Sequence, residues 1–402
     1  MTWGNNLTDK KITLPLQGGK NLVLQWHSSL AEFDRTAWQR LSTPYNFPFF
    51  DWDWLNLLET SGCVGGNTGW VPLHLGVRRS GELIAAAALY VKFHSRGEFV
   101  FDQPIAEISE QLNLPYYPKL LGMSPFTPAT GYRFLIDQNE DELALCRLML
   151  EEINTMCQKQ GFSGCHFLRV DPHWGTFMSS LGLSRWLHHA LIWKNQGYTN
   201  FDDYLATFRS KRRKSIRRER FKQSQQAVRL ITVPGLEARE AWFERMYDFY
   251  AVTCQKFLNM SHYLNPRFFH GLAENLANRI VFVAAFEGND EVNPVALSML
   301  VRAGEQLYGR YWGSENHYEH LHFEACYYQP IQWAIANDIR FFDAGSGNAR
   351  HKRQRGFSAQ PSFSLHRFYQ PMIDGIWRAN ADRINQIEQD HINAINTSSR
   401  SG

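Results

Sequence analysis

At 402 residues, with 44% hydrophobic and 20% charged side chains, the chain is too apolar to be disordered and too varied to be collagen-like or of low complexity. Its length allows a large core and suggests two or three domains. The net charge of +3 is unevenly spread: Arg209 to Lys222, RSKRRKSIRRERFK, holds nine bases and one acid, a charge of +8, which leaves −5 on the rest.

The N-terminal MTWGNNLTDKKITLPLQ lacks the basic-then-apolar order of a signal peptide. The longest apolar run, Leu83 to Val91, is nine residues, against about 20 for a bilayer span. The expectation is a cytoplasmic protein without a transmembrane helix. Six scattered cysteines, with no CxxC pair, read as reduced and mostly buried thiols. His74–Arg79 and Glu82–Phe93 are apolar runs about Ser80-Gly81, a hairpin signal. A proline-rich loop, a helical pattern over Asp141–Gln160 and a short strand, Cys165–Val170, follow. The order recurs about 200 residues later. Arg279–Phe286 and Pro294–Val301 are apolar runs about Glu287–Asp290, then come a strand at Gln306–Tyr311, a helical stretch at Glu324–Ala336 and a strand at Ile339–Phe342. We read this as a duplicated α/β module. Thr397–Gly402 is small and polar, which predicts a frayed tail.

Between the halves lies the basic segment. As a helix it puts Arg209, Arg213, Arg217 and Arg220 on one face, with Phe208, Ile216 and Phe221 left to pack inward. Six arginines to three lysines suit bidentate phosphate contacts, so a polyanion is the expected partner, set against a merely solvated face. Arg212 joins the four as a candidate phosphate or RNA contact. After it, Trp242, Met246, Phe249, Tyr250 and Phe257 recur at helical spacing, predicting an amphipathic helix within Glu237–Leu258.

Reactive residues are densest from Tyr308 to Phe357. Arg310, His317, His320, His322 and Glu324 come first. Extended, His320, His322 and Glu324 would share a face and offer a zinc site; hydrogen bonds at a domain seam explain them equally well, no spaced Cys/His signature supports the metal, and none is expected. Asp343 then ends an apolar strand, Gly345 and Gly347 form a turn, and His351, Lys352, Arg353 and Arg355 follow. Such a turn permits close backbone approach to a ligand, and the cations behind it could hold a pyrophosphate or a developing oxyanion. The bland alternative is a solvated basic loop. There is no Walker A motif and no GxSxG elbow. Arg353 to Ser358, RQRGFS, approximates the acyl-CoA pyrophosphate signature, but it follows the last apparent strand of its module and is treated as coincidence. His188-His189 and Cys165-His166 read as packing pairs.

Taken together, Tyr116-Tyr117-Pro118-Lys119-Leu120, the basic run from Phe208 to Arg220, Leu307 to Gly313 (LYGRYWG), Leu321 to Glu324 with Cys326 to Ile331, and His351-Lys352 with Arg355-Gly356-Phe357 resemble the FemAB-like peptidoglycan biosynthesis/recognition family. That family belongs to the acyl-CoA N-acyltransferase (GNAT-like) superfamily. The resemblance covers about residues 25 to 370. One departure stands out: the family pattern has an acid just before His-Lys, where this chain has Ala349-Arg350. The resemblance implies an α/β (α+β) fold of tandem GNAT-like modules with mixed sheets and the basic helical segment between them. We place the first module at 25–200, the basic and amphipathic helices at 201–258, the second module at 259–372 and a C-terminal helix and tail at 373–402. It also implies amide formation between an acyl or aminoacyl donor, aminoacyl-tRNA or acyl-CoA, and an amine-bearing acceptor: a small molecule, a peptide or a cell-wall precursor.

The resemblance implies that the substrate amine is the nucleophile, so no enzyme nucleophile is required and no cofactor beyond the donor is expected. Arg310 and Lys352 are expected to stabilise charge, and His322, Glu324 and Asp343 are the candidate proton acceptors. Tyr308, Trp312, Gly345, Gly347 and His351 are expected to bind substrate. The rivals are an acyl-CoA-dependent N-acetyltransferase and a non-catalytic module that binds RNA or cell-wall precursors.

Overall fold

The computed structural model describes residues 11–14, 21–256 and 262–401. The expectation for the first ten residues, and Phe257 and Leu258 of the amphipathic stretch, lie outside them. Contacts divide the chain into two compact units: residues 1–188 with 362–389, and residues 189–361 with 390–402. Neither unit is a single consecutive stretch, whereas the sequence suggests boundaries near 200, 258 and 372.

In the first unit, Lys11–Leu14, Leu22–His27, His74–Arg79, Glu82–Ala87 and Leu135–Ile136 form an antiparallel sheet in that order. The run read as one strand, Glu82–Phe93, breaks at Ala88. Its second part, Leu89–Lys92, pairs instead with Trp70–Pro72 and Lys119–Gly122 in another sheet. The run can serve two sheets because it is apolar on both faces and buried throughout beyond Glu82. Lys119–Gly122 then runs parallel to Gly164–Val170, which pairs antiparallel with residues 363–368 of the strand Ser358–Phe368. The helix Glu142–Gln160 is set by its ends: the Asp141 carboxylate accepts the Ala144 amide at 3.0 Å, and Gly161 closes it at φ 69°. Its buried stripe of Leu145, Met149, Ile153 and Met156 packs inward.

The second unit repeats this scheme. Val228–Pro234, Ile280–Glu287, Ala296–Ala303 and Gln306–Ser314 are antiparallel neighbours. Gln306–Ser314 runs parallel to Phe341–Asp343, and that strand pairs antiparallel with residues 192–194 of Ser184–Lys194. The parallel pairing holds only from Gln306 to Tyr308, so the rest of the longer strand runs on without this neighbour. The helix Ala241–Gln255 lies on this sheet through Trp242, Phe243, Met246 and Phe249.

The basic segment is the helix Ser210–Ser224, and only Ile216 and Gln223 are buried along it. No described helix is long and apolar enough to cross a membrane. All six cysteines are free thiols, five of them buried. The last helix runs from Pro371 to Ser401, into the stretch expected as a polar tail.

Candidate active site

In the second unit, the backbone after Phe341–Asp343 turns sharply. Gly345 takes φ 73°, and a Cβ there would meet the Gly309 carbonyl oxygen at 2.9 Å, so this position has no room for a side chain. The Asp343 carboxylate accepts the Gly345 amide at 2.8 Å, while the Lys352 ammonium donates to the Gly345 carbonyl. Asn348 accepts the amides of Arg350 and His351 at 3.0 and 3.4 Å and so caps the short helix Ala349–Arg353, which turns Lys352 inward. Lys352 is 1% exposed. Burial lowers its amine to about 8, opposed by the charge of Asp343 and by Cys326. At neutral pH it is still mostly protonated.

A second set of groups surrounds Arg355, which is 1% exposed. Its guanidinium donates to the Glu219 carboxylate at 2.5 Å and to the His351 carbonyl at 2.9 Å, and it lies 3.6 Å over the Phe323 ring. Glu219, from the basic helix, also accepts from the Tyr328 hydroxyl at 2.5 Å and from Arg212 at 3.4 Å. Burial raises the Glu219 carboxyl, but Tyr328, Arg355 and Arg212 outweigh it and hold the group below its ordinary range. His351 sits 5.2 Å from Phe323. His322 meets Trp312 edge-on at 5.5 Å and Tyr327 at 5.6 Å. It is exposed to solvent. Crowding by protein atoms first, then the charges of Arg355, His351 and Lys352, lower its pKa, so the imidazole is neutral at physiological pH.

Among the other expected residues, Tyr308 is the direct strand partner of Asp343. Glu324 is buried and held by Arg220 through both oxygens, at 2.8–3.1 Å, with Gln329 at 3.0 Å; it does not pair with Arg310. Arg220 and Glu324 line a groove of about 890 Å³ with Phe201, Leu205, Phe221 and Leu230. The helical stretch expected at Glu324–Ala336 begins earlier, at Leu321, and Glu324–Tyr328 is a π turn within it. His320 has φ 62° and stands just before the helical stretch that begins at Leu321, so His320, His322 and Glu324 do not form the extended face that a zinc site needed. Arg310 is half-buried on its strand and donates to the Tyr311 hydroxyl at 3.2 Å. Tyr308 is buried and donates to Gln306 at 2.5 Å. Gly347 adopts φ 120°. The CoA-like stretch from Arg353 to Ser358 leads from a helix into a strand, the reverse of the order that signature requires.

On the basic helix, Arg212 donates to the Gln354 carbonyl at 2.6 Å, Arg213 to the Phe208 carbonyl at 3.5 Å, and Arg217 meets Asp202 at 3.4 Å. Arg209 stands exposed just before the helix. Glu219 and Tyr328 are not among the expected site residues, and Arg355 is expected only as one of several cations behind the glycine turn. The Arg-Gly-Phe and Tyr-Tyr-Gln motifs that contain Arg355 and Tyr328 were the available signal.

A family model described as peptidoglycan biosynthesis/recognition, FemAB-like, matches residues 29–400. A search of the curated proteins finds no match. Among solved structures, the C-terminal domain of a putative lysylphosphatidylglycerol synthetase from Agrobacterium fabrum is similar at TM-score 0.51 and 9% identity, over 88% of this chain and 96% of that one. FemX is similar at 0.46 and 11%, over 81% and 92%. A tandem GNAT protein from the clavulanic acid biosynthesis pathway is similar at 0.45 and 10%, over 87% and 99%. At such identities the Agrobacterium likeness concerns the fold. Each unit carries a sheet in which one parallel pair is flanked by antiparallel neighbours, and the basic helix lies between the repeats in the chain. With that architecture, and a family match over nearly its whole length, the chain belongs to the FemAB-like family.

Proposed function

We propose that the protein is an acyl- or aminoacyltransferase that forms an amide on an amine-bearing cell-wall precursor. The acceptor amine attacks the donor carbonyl, a C–N bond forms, and the C–O or C–S bond to the carrier breaks. The proton lost by the amine ends on the departing oxygen or sulfur. The observation that carries this reading is Lys352: a buried, protonated amine fixed beside Asp343 at a glycine turn, in a family concerned with peptidoglycan. A fixed cation in a water-poor site stabilises the tetrahedral oxyanion far better than a solvated one. Asp343 and the neutral His322 are the groups able to accept the amine proton. The +8 segment favours aminoacyl-tRNA as donor over acyl-CoA.

The purified protein, offered labelled aminoacyl-tRNA or acyl-CoA with amine acceptors, is expected to transfer from the tRNA. Lys352→Ala, and the volume-keeping Lys352→Met, should fold as the wild type does and lose about 10²-fold or more in turnover. Turnover should also fall as pH rises through about 8, because the charged form is the active one. Full activity in a folded Lys352→Met protein removes this lysine from the chemistry.

A further inference from the structure

Seven of the nine cations of the basic segment fall into two groups; of the other two, Arg213 donates to the Phe208 carbonyl and Arg209 precedes the helix. Arg212, Arg217, Arg220 and Lys222 are each paired with an acid of the same unit: Glu219, Asp202, Glu324 and Glu319. Lys211, Lys214 and Arg218 are exposed and make no ion pair among the described residues; the Glu319 carboxylate, already held by Lys222, feels the charge of Arg218. At 3.6 residues per turn, these three and Phe221 fall within about 80° of arc, over a length of about 15 Å. Ile216 and Gln223, the buried residues of the helix, lie on the other side. Phe221 is 63% exposed and stands at the edge of the 890 Å³ groove, so a flat group laid on its ring has room.

We propose that this outward stripe is a contact surface for single-stranded RNA, with Lys211, Lys214 and Arg218 on successive phosphates and the Phe221 ring under one base. The inference deepens the RNA-borne donor proposed above and rests on it for a biological partner, although its test needs no turnover. Cations strung along a helix track a phosphate backbone, and an exposed aromatic at the end of the row offers a stacking platform that any base can use. A lipid surface fits less well. Helices that lie in a membrane interface carry a continuous apolar face, whereas Phe221 is the one apolar residue on this arc.

The test uses the full chain and a fluorescein-labelled RNA single strand of about 12 nucleotides, within the usual site sizes, followed by anisotropy over a range of salt. Replacing Lys211, Lys214 and Arg218 together by Gln should make the slope of log K against log salt shallower by about 2, at roughly 0.7 per phosphate contact. Phe221→Ala should weaken binding about ten- to a hundred-fold at every salt and leave the slope unchanged. Absence of RNA binding by the wild type, or an unchanged slope in the triple variant, overturns the surface. So does preferential binding to phosphatidylcholine–phosphatidylglycerol vesicles that Phe221→Ala abolishes. RNA binding that follows these numbers in a protein that transfers no acyl group leaves the surface standing and overturns the transferase. Transfer from aminoacyl-tRNA that is indifferent to the triple substitution does the reverse.

Discussion

His166 and His366 stand 200 positions apart in the chain, yet their Nδ1 atoms are 3.0 Å apart inside the first unit. That contact requires one ring to donate and the other to accept, so at least one is neutral. Both Nε2 atoms are buried and make no hydrogen bond among the described residues. Burial holds His366 down to about 3, with Lys119 lowering it further and Asp102 opposing; burial, His366 and Lys119 hold His166 well below its usual range. Unfolded imidazoles titrate near 6.5, so below that pH the unfolded chain takes up protons that the folded chain refuses. Stability is therefore complete above pH 6.5 and falls as pH drops toward 3. By pH 5 His366 should account for about 2 kcal/mol of the loss. Urea midpoints at pH 7.5 and 5 check this: the wild type should lose more than His366→Phe, and equal losses would refute it. In the sequence, Cys165-His166 read as simple packing, because no local window reveals a partner so distant. The same blindness applies to Arg355. The residues show that cations crowd the C-terminal motif, but only the fold shows that Glu219 already neutralises this one. Lys352 and Asp343 were easier to single out, since a strand end, a glycine turn and a lysine are close neighbours in the chain.

Strands and helices were legible where one element has one set of neighbours. Asp141 and Gly161 mark the ends of their helix in both sequence and structure, and the buried stripe of Ala241–Gln255 follows its helical spacing. Legibility fails where one run serves two partners, as when Glu82–Phe93 breaks at Ala88 between two sheets. It also fails where helical geometry changes within a run, as at the π turn Glu324–Tyr328. Packing between elements is close at Gly313, where a Cβ would lie 2.3 Å from the Phe249 carbonyl oxygen. The obstacle is helix backbone, which cannot rotate aside. Gly313→Ala should therefore push the Ala241–Gln255 helix off its strand and cost about 1–3 kcal/mol, the usual range for overpacking. Thermal unfolding should show a lowered midpoint; an unchanged one would mean that the helix slides without penalty.

Across the whole molecule, sequence periodicity shows the duplication but not where the strand that closes each repeat finds its partner. Residues 363–368, at the end of the second repeat, pair with Gly164–Val170 in the first unit, and residues 192–194, at the end of the first repeat, pair with Phe341–Asp343 in the second. A chain cut after residue 361 should thus leave the N-terminal unit without a strand. It should show loss of near-ultraviolet circular dichroism and rapid proteolysis within residues 21–188, although every residue there is intact. A protease-resistant N-terminal unit in that truncation would refute the assignment. The exchange also has a cost in time. On the ribosome, Gly164–Val170 emerges about 190 residues before its partner, which at roughly 5–20 residues per second is a wait of about 10–40 s. Throughout it an apolar strand has one edge open to any passing chain, so newly made protein should depend on holding chaperones to a degree that the finished fold does not betray.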